Sequence, residues 1–383
     1  MKIKISAIAK DESAYLSEWI YHHLVFGFTN IEIYVNNTSD NSYSLLRKIS
    51  EKHPVKIINA DALHLESGTG FQRAAYLDAY NRSKEDGTSY LMFLDIDEFW
   101  TPIDFRTNIK TFLTEMNLPD VVSFEWCFPN DEHLPFGRPY KESNKLIKNY
   151  HVKSIFNMAI DIDDINVHNV ISNSAKFILS DGSSFESNDE HKYMVSLDEL
   201  KKDIYRPYIL HRVTRSQIEY VSLLGRGRPS TTGKIKDNRW GFISQPNDSV
   251  DFLIDKALVN DYNAKYASFI SHSEVEDDIN EGRRFVIKRF WGIVKYISVA
   301  TDTDHLVLMN VLKNITLESV LLSMEISSRK SSTIENLNYE SRILVQALVN
   351  TLTQDELSNI INEMLSIESS FDNKQSIPHY HQS

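Results

Sequence analysis

Three carboxylates at the end of an apolar run form the most chemically pointed stretch of this chain, Tyr90-Leu-Met-Phe-Leu-Asp-Ile-Asp-Glu-Phe-Trp100. In an extended segment Asp95 and Asp97 point to the same side, because side chains alternate with period two. Two carboxylates on one side make a hard oxygen site for Mg²⁺ or Mn²⁺, which binds through one or two carboxylates and completes its shell with substrate phosphates. The chemistry read here is a divalent cation holding a diphosphate. An Asp-x-Asp triplet also serves as an ordinary turn or helix cap, so its weight depends on what delivers it. Tyr90 to Leu94 is too short for a free-standing helix and reads as a strand buried on both faces. Open α/β sheets bind ligands at the carboxyl ends of such strands.

The elements before that strand support the placement. Lys2-Ile-Lys-Ile-Ser-Ala-Ile-Ala9 alternates as a strand does, and Tyr15, Leu16, Trp19, Ile20 and Leu24 recur at helical spacing between a cap at Asp11 or Ser13 and a stop at Gly27. Ile31 to Val35, a helix near 43–52 and a strand from Val55 to Asn59 complete a β-α-β-α-β series, which predicts a parallel sheet with right-handed crossovers. The turn Asn36-Asn-Thr-Ser-Asp-Asn41 follows the second strand, and its side chains suit a base or ribose as well as their own backbone. Glu66-Ser-Gly-Thr-Gly70 matches neither the Walker nor the dinucleotide fingerprint and reads as a hinge. Gln72 and Arg73 open the next helix and are candidates to face a ligand. Val121 to Phe128 reads as another buried strand, bringing Asp131 and Glu132 to the same edge. Either is a candidate general base for an acceptor hydroxyl, with Glu125 behind them. Asp161-Ile-Asp-Asp164 has no buried strand before it and reads as a solvated loop.

At 383 residues, 42% hydrophobic and 25% charged, the chain suits one large domain with an appendage, or two domains. A formal charge of −12 excludes general nucleic-acid binding. A single cysteine, Cys127, excludes an intramolecular disulfide framework and fits a reducing compartment. No run approaches the length of a membrane span and the start is not a signal peptide, so a cytoplasmic protein is expected. After about Ser249 helical periodicity takes over near 250–269, 280–299, 303–327, 333–352 and 354–367. That divides the chain into an α/β domain over 1–248 and a helical region over 249–383. One of these helices sets Ile287, Phe290, Trp291, Val294 and Ile297 on one face, with Arg284, Lys288 and Lys295 off it. Such a helix either packs on its own domain or rests peripherally on the inner face of the membrane, where an acceptor on a lipid would lie. Residues 229–247, with Lys234, Lys236, Arg239 and Trp240, read as a lid or an ordered connection.

Taken in order, Lys10-Asp-Glu12, Glu18-Trp-Ile20, His23, Gly27, Tyr34-x-Asn36-x-x-x-Asp40 and Phe93-Leu-Asp-Ile-Asp-Glu-Phe99 resemble the bacterial family 2 glycosyltransferases and the related family 92 enzymes. The resemblance continues through Val152-Lys-Ser-Ile155, His168, His211-x-x-Thr-Arg-Ser216, Glu219, Arg226 and Gly227, and covers about 1–230. It implies a GT-A-like, Rossmann-like α/β fold. It further implies that Glu12, Asn36 and Asp40 border the nucleoside of a nucleotide diphosphate-sugar, a UDP-sugar being favoured. Asp95 and Asp97 would hold Mn²⁺ or Mg²⁺, with His168 as the third ligand and His211 against the diphosphate. Lys153, Arg215, Arg226 and Arg228 would clamp phosphate oxygens, with Gly225 and Gly227 letting the backbone at Arg226 approach the ligand. Val35 and Asn37 stand where the family often has Asp, Asp11 replaces Asn and Arg212 replaces Tyr, which leaves the donor's identity open.

The reading that follows is a metal-dependent, inverting glycosyltransferase acting on a glycan or lipid-linked acceptor of surface polysaccharide, capsule or lipopolysaccharide synthesis. Metal-dependent nucleotidyl or phosphoryl transfer also uses two carboxylates at a strand end. A glycan-binding protein on a transferase scaffold is the non-enzymatic alternative.

Overall fold

The computed structural model describes residues 1–187, 192–227, 235–243, 249–298, 300, 302–317, 319–321 and 323–324. The chain opens with β1 (Ile3–Ala9), α1 (Ser13–Val25), β2 (Asn30–Val35), α2 (Ser42–Ser50) and β3 (Val55–Asn59). A short helix α3 (Asp61–Ser67) and a 3₁₀ turn over Gly68–Gly70 lead into α4 (Phe71–Glu85) and β4 (Tyr90–Phe93). The glycine stretch read as a hinge is thus a turn between two helices. Next come β5 (Glu98–Thr101), α5 (Ile109–Glu115), β6 (Val121–Pro129), the long β7 (Ser143–Asn157), and a hairpin of β8 (Asp164–Ile165) and β9 (Val170–Ile171). β10 (Phe177–Leu179), α6 (Leu197–Leu200), β11 (Tyr208–His211), α7 (Gln217–Leu224), β12 (Val250–Leu253), α8 (Lys256–Ser273), α9 (Glu276–Ser298) and α10 (Asp302–Val311) follow.

The main sheet runs β3-β2-β1-β4-β7-β6-β11-β5, with β10 beside β6 and β12 beside β7. β1 to β4 are parallel neighbours, and β7 inserts antiparallel between β4 and β6. β6 therefore points the same way as β4, and β11 is parallel to β6. The ends of β1, β2, β4, β6 and β11 consequently share one edge. This is a GT-A-like, mainly parallel α/β sheet domain followed by helices. β4 shows why its sequence had to be continuously apolar: Tyr90, Met92 and Leu94 join the core under α1 and α2, while Leu91 and Phe93 join Tyr76 and Phe156 on the α4 face.

The chain from 249 begins as strand, not helix, because Val250–Leu253 pairs with β7. The periodicity near 303–327 resolves into α10, which ends at Val311. The stretches 333–352 and 354–367, with the C-terminal tail, lie outside the described residues. Of the face read from the sequence, Phe290, Val294 and Ile297 pack with Ile293 against Tyr220, Val221 and Leu224 of α7, Trp291 is partly buried against them and Ile287 is partly exposed, so most of this face is covered by protein. No described helix is long and apolar enough to cross a membrane. α9 also lies against the start of α1: a Cβ at Gly282 would meet Ser13 Oγ at 2.3 Å and Ala14 N at 2.6 Å. α8 is tied to α1 through Tyr21 Oη donating to the Tyr262 carbonyl (2.7 Å) and Ser17 Oγ with Tyr266 Oη (2.8 Å).

Gly282→Ala forces α9 away from α1 and is expected to cost about 1–3 kcal/mol, read as a lower denaturation midpoint in urea. His22 is buried, with Nε2 on the Trp100 carbonyl (2.8 Å) and Nδ1 by Tyr262 Oη (3.1 Å). Burial lowers its pKa from 6.5 to about 3, so the unfolded chain takes up the proton first as pH falls. Stability is expected to drop between pH 6.5 and about 3, by on the order of 5 kcal/mol from this group. Urea midpoints across that range should show the slope, and His22→Gln should flatten it.

Candidate active site

β4 stops at Phe93, and residues 94–97 form a tight turn into β5. The turn is closed twice: Glu98 N donates to the Asp95 carbonyl (3.0 Å), and Asp95 N donates to Glu98 Oε2 (2.8 Å). Because this is a turn, the period-two argument does not govern Asp95 and Asp97, and their carboxylates take different partners. Met92 pairs with Ile155, which sets Lys153 of β7 beside the turn. There Lys153 Nζ lies 3.3 Å from Asp95 Oδ2 and 3.2 Å from Glu98 Oε2, with Lys153 and Glu98 buried. Burial would lower the ammonium pKa, but the carboxylates of Asp95 and Glu98 hold it well above the usual lysine value.

Asp97 faces β11. Its Oδ2 lies 3.6 Å from His211 Nε2, and Arg212 N donates to its carbonyl (2.7 Å). Burial would raise its pKa, yet His211, Arg215 and Arg239 keep its carboxyl far below the usual range. Behind it, Glu98 Oε1 and His211 Nδ1 face each other at 3.9 Å, both buried and without a hydrogen-bond partner among the described residues. The 3.6 Å gap between Asp97 and His211 is too long for a hydrogen bond and suits two ligands flanking one small cation. Among the described residues no group of three or more His, Cys, Asp or Glu is arranged to hold a metal. The pair therefore fits an ion that takes its remaining ligands from phosphate and water, as Mg²⁺ commonly does. The histidine brought to the carboxylates is His211, not His168. His168 puts Nδ1 on the Val152 carbonyl (3.1 Å) and packs beside His151 and Trp126. Burial and Lys153 lower its pKa to about 3.

On the far side of β4, Asn36 follows β2 with its side chain buried and Oδ1 unpartnered among the described residues, which leaves an acceptor for a base or ribose. Asp40 is otherwise occupied: Oδ2 accepts from Ser13 N (2.8 Å) and Ser13 Oγ (2.6 Å), while Oδ1 accepts from Thr38 Oγ1 (2.9 Å), Ser42 N (3.0 Å) and Ser42 Oγ (2.6 Å). It ties the starts of α1 and α2 together, which saturates it. Glu12 pairs with Arg226 and lies 3.6 Å from Arg215. Arg215 in turn lies over the Tyr15 ring at 3.6 Å. Gln72 donates to Tyr76 Oη (3.1 Å), and Arg73 binds Asp164 Oδ1 through Nε (3.1 Å) and Nη2 (2.6 Å). The solvated acidic loop thus takes up Arg73.

A cationic wall stands opposite. Arg226 Nη1 also donates to the Lys10 carbonyl (3.2 Å). Gly227 adopts φ +68°, whereas a Cβ at Gly225 would lie 2.7 Å from Ile293 Cδ1, so that glycine admits α9 and not a ligand. Lys236 and Arg239 form no ion pair with a described carboxylate, and Arg239 Nε is buried without a partner among the described residues. Burial, Arg226 and Arg239 lower the Lys236 pKa to about 7. Arg289 of α9 reaches Asp11 Oδ2 (3.0 Å) and Ser222 Oγ (3.1 Å). No local motif pointed to Arg289, which joins the site across 278 residues. Arg228 and Lys234 lie outside the described residues.

The two candidate bases differ. Glu132 is held against Arg212, whereas Asp131 is partly open and pairs with Lys141 (3.0 Å). Glu125 is held by Arg206 (2.8 Å) and Lys148 (3.1 Å). Lys153→Met strips buried Glu98 of its counter-charge and is expected to destabilise by about 3–5 kcal/mol. Adding Glu98→Gln should recover part of the loss, as urea denaturation of both variants will show.

Residues 5–211 match the sequence model of glycosyltransferase family 92. No curated protein matches the chain. Among solved structures, S. aureus TarS 1–349 in complex with UDP is similar at 14% identity over 42% of this chain and 47% of that one, with a TM-score of 0.27. S. aureus TarS 1–349 is also found at 16% identity, 42% and 48% coverage and TM-score 0.26. Mannose-1-phosphate geranyltransferase from Thermus thermophilus shows 10% identity, 41% and 58% coverage and TM-score 0.25. The chain spans about half the length of these solved chains. The family match runs from β1 to the last residue of β11, over more than half of the sequence, and the chain belongs to glycosyltransferase family 92.

Proposed function

We propose that this chain transfers a sugar from a nucleoside diphosphate-sugar, a UDP-sugar being favoured, to a hydroxyl of a glycan acceptor with inversion, in the cytoplasm and in surface polysaccharide, capsule or lipopolysaccharide synthesis. The observation that carries the reading is the meeting of Asp97 and His211 with a wall containing two partly buried cations, Lys236 and Arg239, that make no close ion pair with a carboxylate among the described residues. Asp97 and Glu12 offset this charge only from a distance, and a cation whose pKa is lowered in this way gains by contact with an anion that arrives with the substrate. Lys236, Arg239 and Arg226 would hold the diphosphate oxygens, and Asn36 the nucleoside. Asp97 and His211 would hold Mn²⁺ or Mg²⁺, which supplies Lewis-acid stabilisation of charge on the leaving diphosphate. Lys153 fixes Asp95 at the edge of the site. Asp131, the candidate base with solvent access, would accept the proton of the attacking hydroxyl. In this reading residues 1–248 carry the transferase site, β12 completes their sheet beside β7, and α9 adds Arg289.

Calorimetric titration of uridine, guanosine, cytidine and adenosine diphosphates, with and without Mn²⁺, tests the proposal. One nucleotide is expected to bind at least about tenfold tighter with the metal, while Mn²⁺ alone binds weakly because the chain supplies only two ligands. Asp97→Asn and His211→Ala should abolish the increment, and turnover should release a nucleoside diphosphate and not pyrophosphate. Binding of no nucleotide under either condition would overturn the reading. Since Lys236 titrates at about 7 and binds an anion only when protonated, affinity for a diphosphate-sugar should fall as pH rises above 7. Lys236→Met should remove that slope.

A further inference from the structure

One cluster of titratable and aromatic side chains has no part in the diphosphate site. His151, His168 and Tyr193 hold their rings nearly parallel, at 18° and 5.0 Å for His151 and His168, 25° and 5.7 Å for His168 and Tyr193, and 13° and 6.2 Å for His151 and Tyr193. Trp126 borders them at 5.0 Å from His151 and 5.1 Å from His168, and it also meets His211 at 4.3 Å. All four rings of the cluster are partly accessible.

We propose that this cluster is a subsite for a pyranose ring, continuous with the diphosphate site through His211. The inference rests on the transferase reading. Sugars present apolar C–H faces and hydroxyl edges, and the sites that take them combine ring surface with a few fixed polar atoms. Both kinds of group are here. His151 Nδ1 contacts Asn149 Oδ1 (2.9 Å), and His168 Nδ1 contacts the Val152 carbonyl (3.1 Å). Those oxygens only accept, so each Nδ1 carries the hydrogen and each Nε2 of the neutral ring is left as an acceptor for a hydroxyl. Trp126 Nε1 and Asn166 Nδ2 are buried donors without a partner among the described residues. Asn166 is itself fixed, because its Oδ1 accepts from His168 N and Asn169 N, each at 2.8 Å. The cluster therefore offers acceptors and donors at set positions beside ring surface.

Its place along the sheet edge fits a sugar. Trp126 stands in β6, next to β11, and its ring meets that of His211, which in turn faces Asp97. A diphosphate held at Asp97 and His211 therefore has the Trp126 ring beside it, within reach of the sugar it carries or of the acceptor that meets that sugar.

Saturation-transfer NMR of the full chain with methyl glycosides of glucose, galactose, mannose and N-acetylglucosamine tests the subsite. Transfer to at least one glycoside is expected, weakened about tenfold in His168→Ala and in Tyr193→Ala. Thermal melts and a uridine diphosphate titration on the same variants serve as controls. Glycoside binding that persists under saturating uridine diphosphate-sugar and Mn²⁺ assigns the subsite to the acceptor, and displacement assigns it to the donor sugar. No transfer in the wild type, or transfer unchanged in both folded variants, overturns the subsite. Nucleotide binding retained in that case leaves the transferase reading standing, and its loss in the wild type marks failure of that reading instead.

Discussion

The buried ammonium of Lys153 between Asp95 and Glu98 is the contact on which this site depends. A lysine with almost no exposure is tolerated only when carboxylates meet it at contact distance, and here two do, at 3.3 and 3.2 Å. Glu98 in turn accepts the Asp95 amide, so one carboxylate holds the turn, the lysine and the approach to His211. The turn after β4 is thereby made rigid by charge as well as by backbone. Lys153 also welds β7 to the end of β4, the point where a parallel series of strands gives way to antiparallel pairing.

Around that weld the edge of the sheet divides its work by side. The ends of β1 and β2 bring Glu12 and Asn36, β4 brings the acidic turn, and β11 brings His211. Much of the polar apparatus is already spent on architecture. Asp40 ties two helix starts together, Glu132 neutralises Arg212, and Arg73 meets Asp164. At the site itself Asn36 Oδ1, Arg239 Nε, and the facing pair of Glu98 Oε1 and His211 Nδ1 remain uncommitted. A buried polar atom without a partner is costly, so each of these suits a polar group brought by a ligand.

The helices after the sheet belong to this site in a physical sense. α9 touches the first turn of α1 at Gly282 and fills the space over Gly225 with Ile293, which holds Arg289 against Asp11. Glycine appears at both points because a methyl group would collide with a neighbouring helix, not because a ligand approaches there.

The sequence by itself determined the alternation of strands and helices, the two-faced burial of β4, and the arrival of acidic residues at its end, because these follow from periodicity over a few residues. The ordered motifs from Lys10 to Gly227 determined the family for the same reason, being local and in register with the elements that carry them. Only the tertiary structure decided how those residues are shared. Asp95 and Asp97 part company because the strand ends at Phe93, and alternation has no meaning in a turn. His211 and not His168 reaches Asp97 because β11 pairs with β5 in a register that sets His211 opposite Glu98. Arg289 joins from α9, where no spacing in the sequence could announce it. Pairing register and helix docking are long-range choices, made by the whole core at once, and they set which charges meet.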